Sequence, residues 1–226
     1  MGKITILPET TKDPISLIGR RAGYCWGANV KDEEKNHKRG LECIENNHGR
    51  CLEFPDVHLL IEGYSARVIR EYYTHIGCLP SRLQASTRYI NYKNFPYVIP
   101  PKIQSNPEAI EIFNRTMETI SDSCQRLEDM GIPREDSAML LPLGMETTIV
   151  DKRNLRNLID MSKQRMCSRA YWEFRQMFND IISALKNYSE EWKEIVDSQM
   201  MPKCEYLGYC PEKYSCGRKP KEAIQK

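Results

Sequence analysis

No stretch of the 226-residue chain approaches the roughly 20 consecutive apolar residues that a membrane helix needs, so no membrane partner is expected. The opening Met-Gly-Lys-Ile-Thr has no apolar core of the kind that directs secretion, and a cytoplasmic location is the expectation. Charge of one sign is missing as well. Lys and Arg number 33 against 31 Asp and Glu, a net charge of +2, so no broad field draws nucleic acid. Neither a Gly-rich dinucleotide fingerprint nor a P-loop occurs, so a bound nucleotide has to be held by scattered polar side chains. Internal repeats and low-complexity segments are also lacking.

Cysteine, by contrast, is plentiful. There are nine, an odd count that argues against a disulfide framework. Cys204, Cys210 and Cys216 are each separated by five residues, unlike the close pairing of a zinc ribbon. Reduced structural thiols and no metal are expected; zinc would need a fourth ligand, Cys167 or a His.

The chain pattern mixes strands and helices without a regular βαβ rhythm. Strands are expected at Lys3–Leu7, Val57–Ile61, Arg88–Tyr92 and Glu146–Val150. Residues 8–50 read as polar and irregular, with 31–39 a solvated face or loop. Ser65 caps a helix carrying Val68, Ile69 and Tyr72. A long helix starts at Pro107 and stops at Gly131. Further helices run from Asn154 to about 166, from Arg169 to about 187, and onward from a Ser189 cap. This is an α+β pattern: a mainly antiparallel central sheet flanked by helical bundles. One domain is expected over residues 1–200, followed by a cysteine-bearing tail at 201–226. Tyr89 and Trp172 are expected in the core.

Between the Tyr72 helix and residue 88 lies a polar loop holding His75, Ser81, Arg82, Gln84, Ser86, Thr87 and Arg88. Arg matches the geometry of phosphate, and hydroxyl and backbone N–H groups add donors. Such a loop suits an anion or a nucleotide.

Three stretches together resemble the flavin-dependent thymidylate synthases, the ThyX family. Asn154-Leu-Arg156-Asn-Leu158 followed by Arg165-Met-Cys167-Ser-Arg169-Ala-Tyr-Trp172-Glu-Phe-Arg175 is similar to that family's Asn-x-Arg-x-Leu and Arg-x-Cys-x-Arg-Ala-Gln-Trp-Glu-x-Arg pattern. Leu141-Pro-Leu143 precedes it, and Gln84-Ala-Ser86-Thr-Arg88-Tyr89 resembles the end of the family signature. The signature's Arg-His-Arg opening is Thr74-His75-Ile76 here, and the loop before Ser86 is longer.

The resemblance implies a homotetrameric enzyme that methylates dUMP at C5, with FAD as cofactor, methylenetetrahydrofolate as carbon donor and NADPH as reductant. It implies that Arg165 is the catalytic residue, placed beside the uracil. Glu71, Gln84, Ser86, Arg88 and Arg165 would bind dUMP. His48, His75, Asn154, Arg156 and Asp160 would contact FAD. Arginine suits the catalytic role because it stays charged and can stabilise a ring ionised at N3. Ser86 has no evident His–carboxylate pair to activate it, so phosphate binding is expected of it rather than nucleophilic attack.

Overall fold

The computed structural model describes residues 2–221. Four strands, β1 (Lys3–Ile6), β2 (Asp56–Ser65), β3 (Ser81–Gln84) and β4 (Glu146–Asn154), form one antiparallel sheet in the order β1-β2-β4-β3. Period-two burial marks the inner face. Val57, Leu59 and Ile61 point inward from β2, and Thr147, Ile149, Asp151 and Arg153 from β4. The helices are α1 (Pro14–Cys25), α2 (Glu33–Glu45), α3 (Ala66–Tyr72), α4 (Pro101–Gln104), α5 (Pro107–Asp129), α6 (Arg134–Ser137), α7 (Leu155–Arg165), α8 (Trp172–Tyr188), α9 (Glu190–Gln199) and α10 (Lys203–Leu207).

The chain forms two compact units. Among the described residues, one comprises Ile61–Thr74 and Arg82–Val150 with Gly2 and Lys3; the other comprises Ile4–Leu60, His75–Ser81 and residues 151–221. In the first, Phe95, Met117 and Met145 make a small core with Tyr97, Phe113, Ile120 and Leu141 packed on it. Asn106 starts α5 by accepting from the backbone N–H groups of Glu108 and Ala109, and α5 ends before Gly131, whose φ of 84° suits glycine.

The second unit holds α1, α2 and α7 to α10. Residues 8–50, expected to be irregular, contain two helices. Their contact is backbone on backbone: a Cβ on Gly19 would lie 1.8 Å from the Asn36 carbonyl oxygen, and one on Gly40 2.0 Å from that of Ile15. Arg39 ties the pair by donating to the Gly19 carbonyl and the Asn36 side chain. Asp13 gives α1 no side-chain cap; instead the Glu191 carboxylate accepts from the N–H of Ile15 at 2.6 Å and of Ser16 at 3.0 Å. Phe174, Met177, Phe178, Ile181 and Leu185 of α8 are fully buried, as is Trp192 of α9. The Trp192 indole N–H donates to the Thr11 carbonyl at 2.7 Å.

Two further expectations are corrected. Residues 88–92 are not a strand, because the Ser86 carbonyl accepts from the N–H groups of Tyr89 and Ile90, and the Ser86 hydroxyl accepts from that of Arg88. Those donors close a turn instead of a ladder, and the strand is Ser81–Gln84. The ring of Tyr89 is 76% exposed, so it is not core, and Trp172 is only half-buried.

Candidate active site

The residues singled out from the sequence fall into two groups, one in each unit. In the first unit the Ser86 hydroxyl accepts from the Arg88 N–H at 3.2 Å, which directs the hydroxyl proton outward to donate. Arg88 donates its Nε to Glu135 at 2.7 Å, and both side chains are more than half exposed. Gln84 donates to the Thr147 hydroxyl at 3.3 Å. The Glu71 carbonyl accepts from the hydroxyl of Thr74 at 2.7 Å. Arg82 donates to the Tyr73 carbonyl and lies over the Tyr73 ring at 4.4 Å, which fixes it locally.

In the second unit Arg165, at the end of α7, donates its Nε to His75 Nε2 at 2.8 Å. Its guanidinium carbon lies 4.4 Å from the centre of the Phe174 ring, and the same ring meets His75 edge-on at 5.7 Å. A permanent cation is therefore held on two sides by neutral rings. Burial, then the charges of Arg165 and Arg153, lower the His75 pKa to about 4, so the imidazole is neutral at ordinary pH and Nε2 can accept.

The loop carrying His75 is anchored from below. Arg153 is fully buried and pairs with Asp151 through Nε at 2.6 Å and Nη2 at 2.8 Å. It also donates to the Asn157 side-chain oxygen at 2.6 Å, and the Asn157 amide donates to the Gly77 carbonyl at 2.8 Å. The sequence reading missed this network. Its signal was available: in a strand that alternates inward Thr147 and Ile149, an inward Asp and Arg two residues apart must pair to be buried.

Asn154 is buried and caps α7 by accepting from the Asn157 N–H at 3.0 Å. Arg156 donates to Glu53 at 2.5 Å while its side chain stays 44% exposed. Gly49 lies so close that a Cβ there would sit 3.2 Å from the Arg156 guanidinium carbon. His48 is exposed. A guanidinium over a bare glycine backbone, still partly exposed beside Glu53, has the chemistry to meet an anionic group. Asp160, at the surface of α7, pairs with Lys163 at 3.2 Å.

The cysteine-bearing tail belongs to the same unit. Cys204 and Cys210 are buried, whereas Cys216 is exposed and its thiol is lowered in pKa, first by a hydrogen bond with the Ser168 side chain. Among the described residues no three His, Cys, Asp or Glu side chains are grouped so that they could hold a metal ion. A cavity of about 850 Å3 lies between the end of α7 and the tail, with Arg165 on its wall.

Fold and side chains together define an α+β protein with an exposed Ser–Arg turn suited to an anion and an arginine pre-set by two rings. A family model described as thymidylate synthase complementing protein (Thy1) matches residues 6–189, and the chain belongs to that family. It is 33% identical over 188 residues to a flavin-dependent thymidylate synthase of Pyrococcus abyssi, covering 81% of this chain and 75% of the relative. It is 31% identical over 225 residues to that of Pyrococcus horikoshii, covering 94% and 91%. It is 27% identical over 232 residues to that of Nitratidesulfovibrio vulgaris, covering 93% and 92%. In fold it resembles the UMP/dUMP methylase PolB of Streptomyces cacaoi, solved with 5-Br dUMP, at a TM-score of 0.72 and 16% identity, over 89% of this chain and 97% of the other.

Proposed function

We propose that the chain is a flavin-dependent thymidylate synthase. It methylates dUMP at C5 to give dTMP, taking a carbon from methylenetetrahydrofolate and a hydride from reduced FAD, with NADPH restoring the flavin. The observation that carries this reading is Arg165 fixed between His75 and Phe174, in a chain whose family match spans residues 6–189.

C5 of uracil is a weak nucleophile until negative charge builds on the ring. A guanidinium at N3 and the adjoining carbonyl stabilises that charge, and it costs least when the cation is already in place. His75 and Phe174 fix the direction of the Arg165 guanidinium. Ser86 donates its hydroxyl to the dUMP phosphate, and Arg88 exchanges Glu135 for the same phosphate. Gln84 and Glu71 flank the nucleotide. Arg156, with His48, His75, Asn154 and Asp160, holds FAD, which supplies the hydride when bound. The assembly in this reading is a homotetramer with active sites completed by several subunits.

The visible absorption spectrum of the purified protein, repeated after adding FAD and then dUMP, tests the reading. A flavin band that shifts with dUMP, and dTMP identified by mass in the turnover mixture, are expected. Arg165→Ala should lower turnover on the order of a hundredfold or more while leaving the fold intact, as loss of pre-placed charge does elsewhere. No flavin after reconstitution would overturn the reading. Thr74 and Ile76, where the family carries arginines, favour a second reading: another flavin-dependent C5 modification of a pyrimidine nucleotide. A product mass other than that of dTMP would identify it.

A further inference from the structure

The cavity between α7 and the tail has a volume of about 850 Å3, within the range of small-molecule sites. Its wall carries six cations, Lys163, Arg165, Arg169, Lys203, Arg218 and Lys219, against two carboxylates, Asp160 and Glu212. That excess is larger than the net charge of +2 on the whole chain.

Two of these cations are offset locally. Lys163 pairs with Asp160 at 3.2 Å and Lys219 with Glu205 at 2.8 Å. Arg169 and Arg218 are held differently. Each donates one nitrogen to a backbone carbonyl, Arg169 to Tyr214 at 2.8 Å and Arg218 to Met166 at 3.5 Å. A carbonyl orients a guanidinium without cancelling its charge, and four of the five N–H donors remain for other partners. Among the described residues neither these two arginines nor Lys203 has a carboxylate within ion-pair distance.

Compensation of the α7 C-terminus does not account for this. A helix end is equivalent to roughly half a negative charge, far below the surplus on the wall. The three unoffset cations come from three stretches: the loop after α7, the first turn of α10, and the chain beyond it. They surround room for several groups rather than one small ion.

We propose that this cavity binds a ligand carrying a short chain of anionic groups, held by Arg169, Lys203 and Arg218. The shared chemistry is a linear polyanion, either the phosphates of a nucleotide or the linked glutamates of a folate. The glutamate source rests on the folate-dependent reading above; the phosphate source does not.

The test is calorimetric titration of the full-length protein as purified, with no dUMP added, using tripolyphosphate and, separately, penta-γ-glutamate. Low ionic strength is needed because charges are screened over about 10 Å at 0.1 M salt. One saturable site for at least one probe is expected. Lys203→Gln with Arg218→Gln should weaken it about tenfold or more, the effect of losing charge-assisted hydrogen bonds, and Arg115→Gln on exposed α5 should not. Tighter tripolyphosphate assigns the phosphate source, and tighter pentaglutamate assigns the glutamate source. Circular dichroism checks the fold of the double variant; if it is unfolded, Arg169→Gln is read in its place. Failure of both probes to bind, or equal losses in the tail and Arg115 variants, overturns the proposal. Neither turnover nor dUMP enters the readout, so its failure and that of the synthase reading are told apart.

Discussion

Arg165 gives its Nε proton to His75 Nε2 across 2.8 Å, which requires an imidazole that carries its own proton on Nδ1. The contact helps keep itself in being. Burial disfavours the charged imidazole most, and the neighbouring Arg165 and Arg153 charges disfavour it further. The positive charge of the pair therefore stays on the guanidinium, where the proposed chemistry needs it.

Histidine NMR should show His75 titrating at about 4, below the ordinary 6.5. The unfolded chain takes up this proton at the higher pH and the folded protein at the lower. The stability tied to neutral His75 is therefore complete above about pH 6.5 and is lost as the pH falls toward 4. Denaturant unfolding across that window should show stability rising with pH, with a shallower slope in His75→Gln. A slope unchanged by the substitution would remove the linkage.

Phe174 serves as both core and platform. Phe174→Ala should cost about 3–5 kcal/mol in unfolding free energy, the usual penalty for a buried aromatic. Phe174→Leu keeps most of the volume but deletes the ring under Arg165, worth about 0.5–2 kcal/mol as a cation–π contact. Its stability should fall little while turnover of dUMP falls several-fold. Equal turnover in the Leu variant and the natural protein would reduce Phe174 to packing.

Arg88 and Glu135 form an exposed pair, and such pairs contribute about 0–1 kcal/mol. Arg88→Ala should leave the melting temperature nearly unchanged. Binding of dUMP should weaken about tenfold or more, as expected for one lost charge-assisted contact, while deoxyuridine binding stays the same. Comparable losses for both ligands would place Arg88 away from the phosphate.

Asp151→Asn removes the carboxylate paired with the buried Arg153 through two of its nitrogens, and breaking a buried pair on one side costs about 3–5 kcal/mol. Because Arg153 holds Asn157 and Asn157 holds the Gly77 carbonyl, the loss should reach the His75 loop. Hydrogen exchange should rise in residues 75–81 before it rises in α8. A loop as protected as in the natural protein would mean that the anchor lies elsewhere.

Several helix starts were legible because a short polar side chain does the same job wherever it stands. Ser65, Asn154 and Ser189 each accept from a backbone N–H three residues on, as their positions before apolar periodicity imply. The helices α1 and α2 were not legible: α1 buries only a short apolar set, Ile15, Ile18 and Ala22, and their closest contact runs through Gly19 and Gly40 and through polar bonds. The turn after β3 was misread because aromatic and β-branched residues at 89–92 suit a strand, while Ser86 diverts the backbone donors. At the candidate site, resemblance supplied Arg165 and His75. Their contact joins residues 90 positions apart, and no local pattern encodes it. The role of Phe174 was hidden because a buried aromatic at helical spacing reads simply as core.

The Glu191 carboxylate at the head of α1 sets an order of events during synthesis. A helix without its own cap is marginal in isolation, and this one receives its terminal acceptor from a residue 176 positions later. While the ribosome is still making the middle of the chain, the first helix has a partner in α2 but no acceptor for its leading N–H groups. Its amides should gain full protection only once α9 has emerged, so a nascent chain stalled before residue 190 should exchange freely at Ile15 and Ser16. The beginning of this protein is finished by its end.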